Sequence, residues 1–498
     1  MAKQSLKQKA ASGMVWTALQ KYSTMFIQFI SGIILARLLT PYDYGCIGML
    51  SIFMVLAEAF IDGGFGSALI QKKNPTQMDY STIFFWNIMM AVFMYIVLYV
   101  CAPAISRFYN IPLLCPVLRV QGVVLFIYAF NIIQRNQLKK KLNFKVLSIV
   151  TITTSIVSLA VTVWMAYKGF GVWALVAQNI ITASIPAIIF WFFIKWRPIW
   201  TFSIDSFKSL FSFGLYMFLT NLINKFFSKF TSLLIGKLYS PGTLGYYSKA
   251  MGVENLASHS ISSVVSQVSY PLYALAQDDN KVLINMIRRM TMTIAFITFP
   301  MMFLLMLTAK PLFVLLYSDR WLQSVPYFQI LCLIGLSECL QAVNTQPIAA
   351  IGKSSLMFKW TLFKRTIGLV FVIGGLVLFG MWGLLIGVVV FNWFCYGVNV
   401  GLVSRYIGYS WIQQLMDIFP MALVSGVSAV VSYFAVTSLH LSLYPDGVLK
   451  AFILSLLYLA WALLFKPEAY TYALGIIPAR FRFWNRPNKD KDENSINP

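Results

Sequence analysis

Arg37-Leu-Leu-Thr-Pro41-Tyr-Asp-Tyr-Gly45 and Lys237-Leu-Tyr-Ser-Pro241-Gly-Thr-Leu-Gly245 are two copies of one pattern, 200 residues apart. Each has a cation, a hydroxyl residue before a proline, and a glycine four residues past the proline. The match extends without a gap from Ser12–Gly45 to Ser212–Gly245. Two more pairs follow with a small drift. Gly171-Val-Trp-Ala-Leu175 matches Gly380-Met-Trp-Gly-Leu384 at an offset of 209, and Phe144-Lys145 matches Phe358-Lys359 at 214. Small loop insertions produce such a drift, so the chain reads as an internal duplication.

Outward from the repeat, the chain is apolar. Of 498 residues, 59% are hydrophobic and 11% charged, and the mean hydropathy is +0.73. A soluble domain carries about 25% charged residues, so a water-soluble fold is excluded. Apolar segments bounded by charges, Pro and Gly predict fourteen spans, at 14–36, 45–69, 82–102, 115–134, 146–167, 172–194, 210–236, 244–270, 289–309, 322–346, 361–379, 382–403, 415–437 and 448–465. A helical span needs about 20 residues, which leaves no stretch long enough for a large soluble domain.

Charge placement orients the spans. With the N-terminus inside, the inner connections and tails hold 27 of the 39 Lys/Arg, among them Lys72, Lys73, Arg135 and Lys139–Lys141, and the outer connections hold eight. The positive-inside rule asks for this bias, and both termini are expected in the cytoplasm. Six spans per repeat is an even number, so the repeats share an orientation about a pseudo-twofold along the membrane normal. The expected fold is all-α: a six-helix lobe over 1–205, a second over 206–408, and two further helices with a basic tail over 409–498.

The net charge of +23 is read as membrane topology, and nucleic acid is not an expected partner. The six cysteines form no CxxC pair, and with only two histidines neither a structural metal nor a disulfide framework is expected. The N-terminal run exceeds a signal peptide's apolar core and lacks a cleavage site, so it reads as an uncleaved first span. Ile351-Gly352-Lys353-Ser354 imitates the end of a phosphate loop, but Pro347 stands where the loop needs glycine, and ATP is not expected there. Arg480-Phe-Arg-Phe-Trp484-Asn-Arg486, just past the last span, reads as an anchor on anionic membrane lipid.

Charges inside spans are the functional candidates, since each costs roughly 2.5–3.5 kcal/mol at a helix centre on insertion scales. Lys225 and Lys229 lie midway through span seven, four residues apart and hence on one face, with Asn221, Asn224, Ser228 and Ser232 nearby. The equivalent stretch of span one carries Lys21, Gln28 and Gly32, while Met25 and Phe29 replace the two lysines. These residues, with Lys249, are expected to line a wet cationic cavity. Lys21 and Lys249 lie nearer span ends, within snorkelling reach. Glu58 and Asp62, also i,i+4, and Glu254 are expected to balance these charges or to bind a coupling cation, Na+ or H+. Glu338 and His259 are expected to pack or gate.

Three stretches resemble one family: Phe60-Ile-Asp62-Gly-Gly-Phe-Gly66-Ser-Ala-Leu-Ile-Gln71-Lys-Lys73 at the end of span two, Gly245-Tyr-Tyr-Ser-Lys-Ala250, and Tyr270-Pro-Leu-Tyr-Ala-Leu-Ala-Gln-Asp278-Asp279. They are similar to the polysaccharide-transport branch of the multidrug/oligosaccharidyl-lipid/polysaccharide exporter superfamily, near colanic-acid and teichuronic-acid type flippases. The resemblance implies fourteen helices in two lobes around a cavity, in a bacterial inner membrane. It implies alternating access that turns an undecaprenyl-diphosphate-linked oligosaccharide to the outer leaflet, alongside the polymerase and glycosyltransferases of the same pathway. No catalytic residue or cofactor is implied. A cation-coupled drug antiporter of the same fold is the alternative, and would be expected to have an acidic cavity. A polysaccharide polymerase or ligase would need a long outer loop, and every outer connection expected here is short.

Overall fold

A computed structural model describes residues 6–276, 279–351 and 354–476. Gly352 and Lys353 of the phosphate-loop imitation, Asp278 and the Arg480–Arg486 tail lie outside the described residues. The described chain is helical, with no strand among the described residues. It runs α1 (Leu6–Leu38), α2 (Pro41–Asp62), α3 (Phe65–Gln71), α4 (Gln77–Tyr109), α5 (Leu114–Gln121), α6 (Val123–Lys140), α7 (Phe144–Tyr167), α8 (Val172–Phe193), α9 (Ile204–Leu238) and α10 (Pro241–Leu275). It continues through α11 (Asn280–Leu307), α12 (Ala309–Tyr317), a 3-10 turn at Asp319–Trp321, α13 (Ser324–Ala350), α14 (Ser354–Ile407), α15 (Trp411–Thr437), α16 (Leu443–Phe465) and α17 (Glu468–Ile476).

Among the described residues, ten helical stretches are long and apolar enough to cross a membrane. Helices α1, α9 and α10 are not among the ten: polar residues such as Lys21, Lys225, Lys229 and Glu254 interrupt their apolar runs. One of the ten includes most of α14, whose backbone leaves helical geometry at Phe379 and Gly380. Large apolar side chains such as Phe192 and Leu464 stand mostly exposed, as lipid-facing residues must.

The chain forms two compact units, Met1–Lys249 with Phe313–Ser324, and Ala250–Leu312 with Val325–Pro498. In the first, the duplicated motif explains itself by capping chemistry. Thr40 caps α2, accepting from the Asp43 backbone N–H while the Asp43 carboxylate accepts from the Thr40 N–H at 2.9 Å. Ser240 likewise accepts from the Thr243 N–H at 3.1 Å. The prolines follow at the first helical position, where a missing N–H costs nothing. The glycines serve close approach: a Cβ on Gly45 would collide with the Pro241 carbonyl, and one on Gly245 with the Pro41 carbonyl. Each repeat's glycine thus accommodates the other's proline.

The motif cations are reciprocal as well. Arg37 donates to the carbonyls of Leu316, at 3.1 Å, and Leu315 near the end of α12. Lys237 donates to the Phe108 carbonyl at 2.5 Å near the end of α4, with its ammonium 4.2 Å from the Phe108 ring centre. Both place positive charge at the negative end of a helix.

Span two breaks where a single helix was expected. Gly63 and Gly64, both at positive φ, turn α2 into α3, and Gly64 lies against the Gly214 backbone. Phe65, Leu69, Phe84, Ile133 and Leu210 close a core among α3, α4, α6 and α9. In the second unit, α11 carries the C-terminal helices. Arg288 holds Asp417 of α15 through two nitrogens at 2.9–3.0 Å, Tyr409 donates to Asp417 at 2.5 Å, and Glu468 of α17 approaches Arg288 at 3.3 Å.

Candidate functional site

Helix α1 presents Thr17, Gln20, Thr24 and Gln28 on one face, spaced three and four apart. Helix α6 answers with Tyr128, Asn131, Arg135 and Lys139 at the same spacing. With α7 and α8 these faces wall a cavity of about 440 Å3. Its hydroxyls are tolerated at depth because they bond their own helix or a neighbour: Thr24 to the Gln20 carbonyl at 2.7 Å, Thr151 to Leu147 at 2.7 Å, Ser158 to Thr182 at 3.1 Å. Ser148 ties α7 to α1 through the Trp16 carbonyl at 2.8 Å and the Gln20 side chain at 3.2 Å.

A second cavity of about 210 Å3 adjoins it, lined by Asp62, Gly66, Ser67 and Asn136. Tyr128, Asn131, Arg135 and Lys139 line both. Arg135 and Lys139 are exposed and form a shared cationic rim. The Asp62 carboxylate accepts from the Gly64 and Gly66 backbone N–H groups, and Lys139 feels both Asp62 and Arg135. Two buried amide atoms at these cavities have no hydrogen-bond partner among the described residues: Asn131 Oδ1, and Nδ2 of Asn136, a residue only 7% exposed. A buried polar group left unpaired costs about 1–3 kcal/mol, so these two atoms favour a ligand that pairs them.

Gln28 lines the larger cavity and Asp62 the smaller. Lys225 and Lys229 lie half-buried on α9, which packs on α2 and α3, and Lys225 is a cation that both Glu58 and Asp62 feel. Asn221 and Asn224 share that helix. Ser228 spends its proton on the Lys225 carbonyl at 2.8 Å. Lys21 lies half-buried on α1.

Lys249 does not snorkel. It is 9% exposed, donates to the Gly32 carbonyl at 2.7 Å, and sits 4.9, 4.3 and 5.4 Å from the ring centres of Tyr44, Tyr317 and Trp321. Trp321 is itself pinned by donating to the Ala36 carbonyl at 2.8 Å. Three aromatic faces and a carbonyl replace water around this ammonium. In the second unit Glu254 is 1% exposed, with Oε1 unpaired among the described residues and Glu338 near enough to be felt; Glu338 in turn feels His259.

Sequence reasoning missed Arg135 and Lys139, assigning them to a cytoplasmic connection. The helix runs on to Lys140, whose ammonium donates to the carbonyls of Leu69 and Ile70, each at 3.0 Å, and of Lys72, around the end of α3. The signal was present in the three-and-four spacing of Tyr128, Asn131, Arg135 and Lys139.

The sequence model of a family described as polysaccharide biosynthesis protein matches residues 34–326. Among curated relatives, the teichuronic acid biosynthesis protein TuaB of Bacillus subtilis (strain 168) is 26% identical over 72% of this chain and 74% of its own. The succinoglycan biosynthesis transport protein ExoT of Rhizobium meliloti (strain 1021) is 23% identical over 81% of this chain and 80% of its own. Among solved structures, the lipid II flippase MurJ in an inward closed conformation superposes with a TM-score of 0.70 at 16% identity, covering 91% of this chain and 98% of that one. At that identity the likeness speaks for the fold.

Proposed function

We propose a function on one premise: the chain belongs to the polysaccharide biosynthesis protein family. Within it, the chain moves lipid-linked oligosaccharide, a surface-polysaccharide repeat unit on undecaprenyl diphosphate, from the cytoplasmic to the outer leaflet. The observation that carries this reading is a cavity that holds amides and hydroxyls and has a cationic rim, inside a bundle whose outer side chains are apolar. A diphosphate needs cations, a glycan needs neutral hydrogen-bonding groups, and a polyprenyl tail needs lipid. The relatives' names, a transport protein in ExoT and a lipid II flippase in MurJ, support the same direction. Moving such a lipid needs no covalent step, so the reading is a transporter.

Fourteen spans fit this reading. The kink at Phe379 and Gly380 makes two spans of α14, and α1, α9 and α10, at 33, 35 and 35 residues, each exceed the length a bilayer needs. Grouped by repeat, they make lobes over 1–205 and 206–408 with two extra helices, in the inner membrane with both termini cytoplasmic. Lys225 and Lys229, with Lys21, Asn221 and Asn224, hold the diphosphate, and alternating access exchanges its partners. Glu58, Asp62 and Glu254 balance charge or take the coupling Na+ or H+. Deleting the gene and analysing lipids by leaflet tests the function. The expected result is an undecaprenyl-diphosphate glycan accumulating on the inner leaflet; an unchanged lipid profile with normal surface polysaccharide would contradict it.

A further inference from the structure

The cavity among α1, α6, α7 and α8 lies within one helix unit, and Lys225 and Lys229 on α9 are not part of its walls. We propose that this cavity is a subsite for the phosphate-proximal sugar of a glycosyl diphosphate, with Arg135 and Lys139 at its rim holding the phosphates. The proposal rests on the flippase reading and adds a place for the sugar. The division of chemistry inside the cavity carries it. Arg135 and Lys139 are the charged residues lining it, and both sit at the rim it shares with the smaller cavity. The rest of the lining is neutral: amides and hydroxyls from residues such as Gln20, Gln28, Asn131 and Thr151, rings from Tyr128 and Phe144, and apolar side chains such as Leu147 and Phe190. A sugar is likewise neutral, donates and accepts through every hydroxyl, and stacks its C–H faces on rings. At about 440 Å3 the space falls within the roughly 300–1,000 Å3 of small-molecule sites.

The unpaired atoms match the same ligand. Asn131 lines the cavity, and its Oδ1, buried with no partner among the described residues, is an acceptor with which a sugar hydroxyl can pair. Asn136 lines the smaller cavity beside Arg135 and Lys139, and its Nδ2, buried with no partner among the described residues, is a donor with which a phosphate oxygen can pair. Asp62 offsets one of the two rim charges and leaves the rim net positive. Gly66 keeps the smaller cavity open, since a Cβ there would press on both the Asp62 carboxylate and the Asn136 amide. The diphosphate therefore has two cation pairs available, one on α6 and one on α9.

A glycosyl diphosphate reaches such a site either on a lipid or as a soluble sugar nucleotide, and binding to the full-length protein in lipid nanodiscs separates the two. The probes are undecaprenyl diphosphate, undecaprenyl-diphosphate glucose and UDP-glucose. Wild type is expected to bind the glucosylated lipid about tenfold tighter than the bare lipid, the scale of a few sugar hydrogen bonds. Asn131→Leu and Thr151→Val should each shrink that advantage and leave bare-lipid affinity unchanged. Asn131→Leu should not lower the unfolding temperature, because it removes an unpaired buried acceptor; a structural role would lower it. Arg135→Gln with Lys139→Gln should weaken both lipids, and Arg135→Lys should retain binding. UDP-glucose competing as well as the glucosylated lipid would overturn the lipid assignment. If all these variants bind both lipids as wild type does while Lys225→Ala, Lys229→Ala loses both, the subsite is wrong and the flippase reading stands. Wild type binding neither lipid would overturn both.

Discussion

Lys249 shows how a charge can be kept at depth without a carboxylate. The Gly32 carbonyl and the rings of Tyr44, Tyr317 and Trp321 surround its ammonium with negative surface, and no ion pair to Glu254 is needed. Replacing a buried ion with an apolar residue of similar shape is often neutral, because the lost attraction and the relieved desolvation offset each other. Lys249→Met should therefore stay within about 1 kcal/mol of wild type. Lys249→Glu should cost more than about 2 kcal/mol, since ring faces repel an anion. Thermal unfolding of the purified protein checks both, and a Met variant as unstable as the Glu variant would contradict the account. Lys225 and Lys229 have a different test. Their double alanine variant sheds an insertion cost, so it should reach the membrane at normal levels yet lose glycolipid binding. Normal expression with wild-type binding would make them structural.

At the scale of elements, the duplicated motif is where sequence and structure meet most closely. Hydroxyl, proline and glycine act locally as cap, first-turn residue and crossing point, so their spacing could be read without knowing the fold. Gly45→Ala and Gly245→Ala should each destabilise by about 1–3 kcal/mol through overpacking on a proline carbonyl. Gly252→Ala, in open space on α10, should cost nothing measurable by the same unfolding assay. Element ends were less legible. A hydropathy reading stops a span at its first cation, which put Arg135, Lys139 and Lys140 in a loop, although α6 needs them to reach the end of α3. It also passes over Gly63 and Gly64, whose turn is set by their contact with α9, a partner 150 residues away in the chain. The cage of Lys249 could not be read either, because its rings come from two stretches of sequence, around Tyr44 and at Tyr317–Trp321, each far from Lys249 in the chain.

For the whole molecule, orientation in the membrane and movement of the lipid are each open to direct test. A cysteine placed at Asn143, exposed between α6 and α7, should react with an impermeant maleimide only after the inner face is opened to it; labelling in intact cells would reverse the orientation. The central claim is movement of the lipid itself. The most direct measurement is reconstitution of the purified protein into vesicles carrying undecaprenyl-diphosphate oligosaccharide, with Na+ and H+ gradients imposed in turn. The glycan reaching the opposite leaflet is read by an impermeant lectin. The account predicts transfer well above protein-free vesicles under at least one gradient, lost in the Lys225→Ala, Lys229→Ala protein. Glycolipid that stays in its leaflet of origin, in vesicles holding folded protein under every gradient, would contradict it.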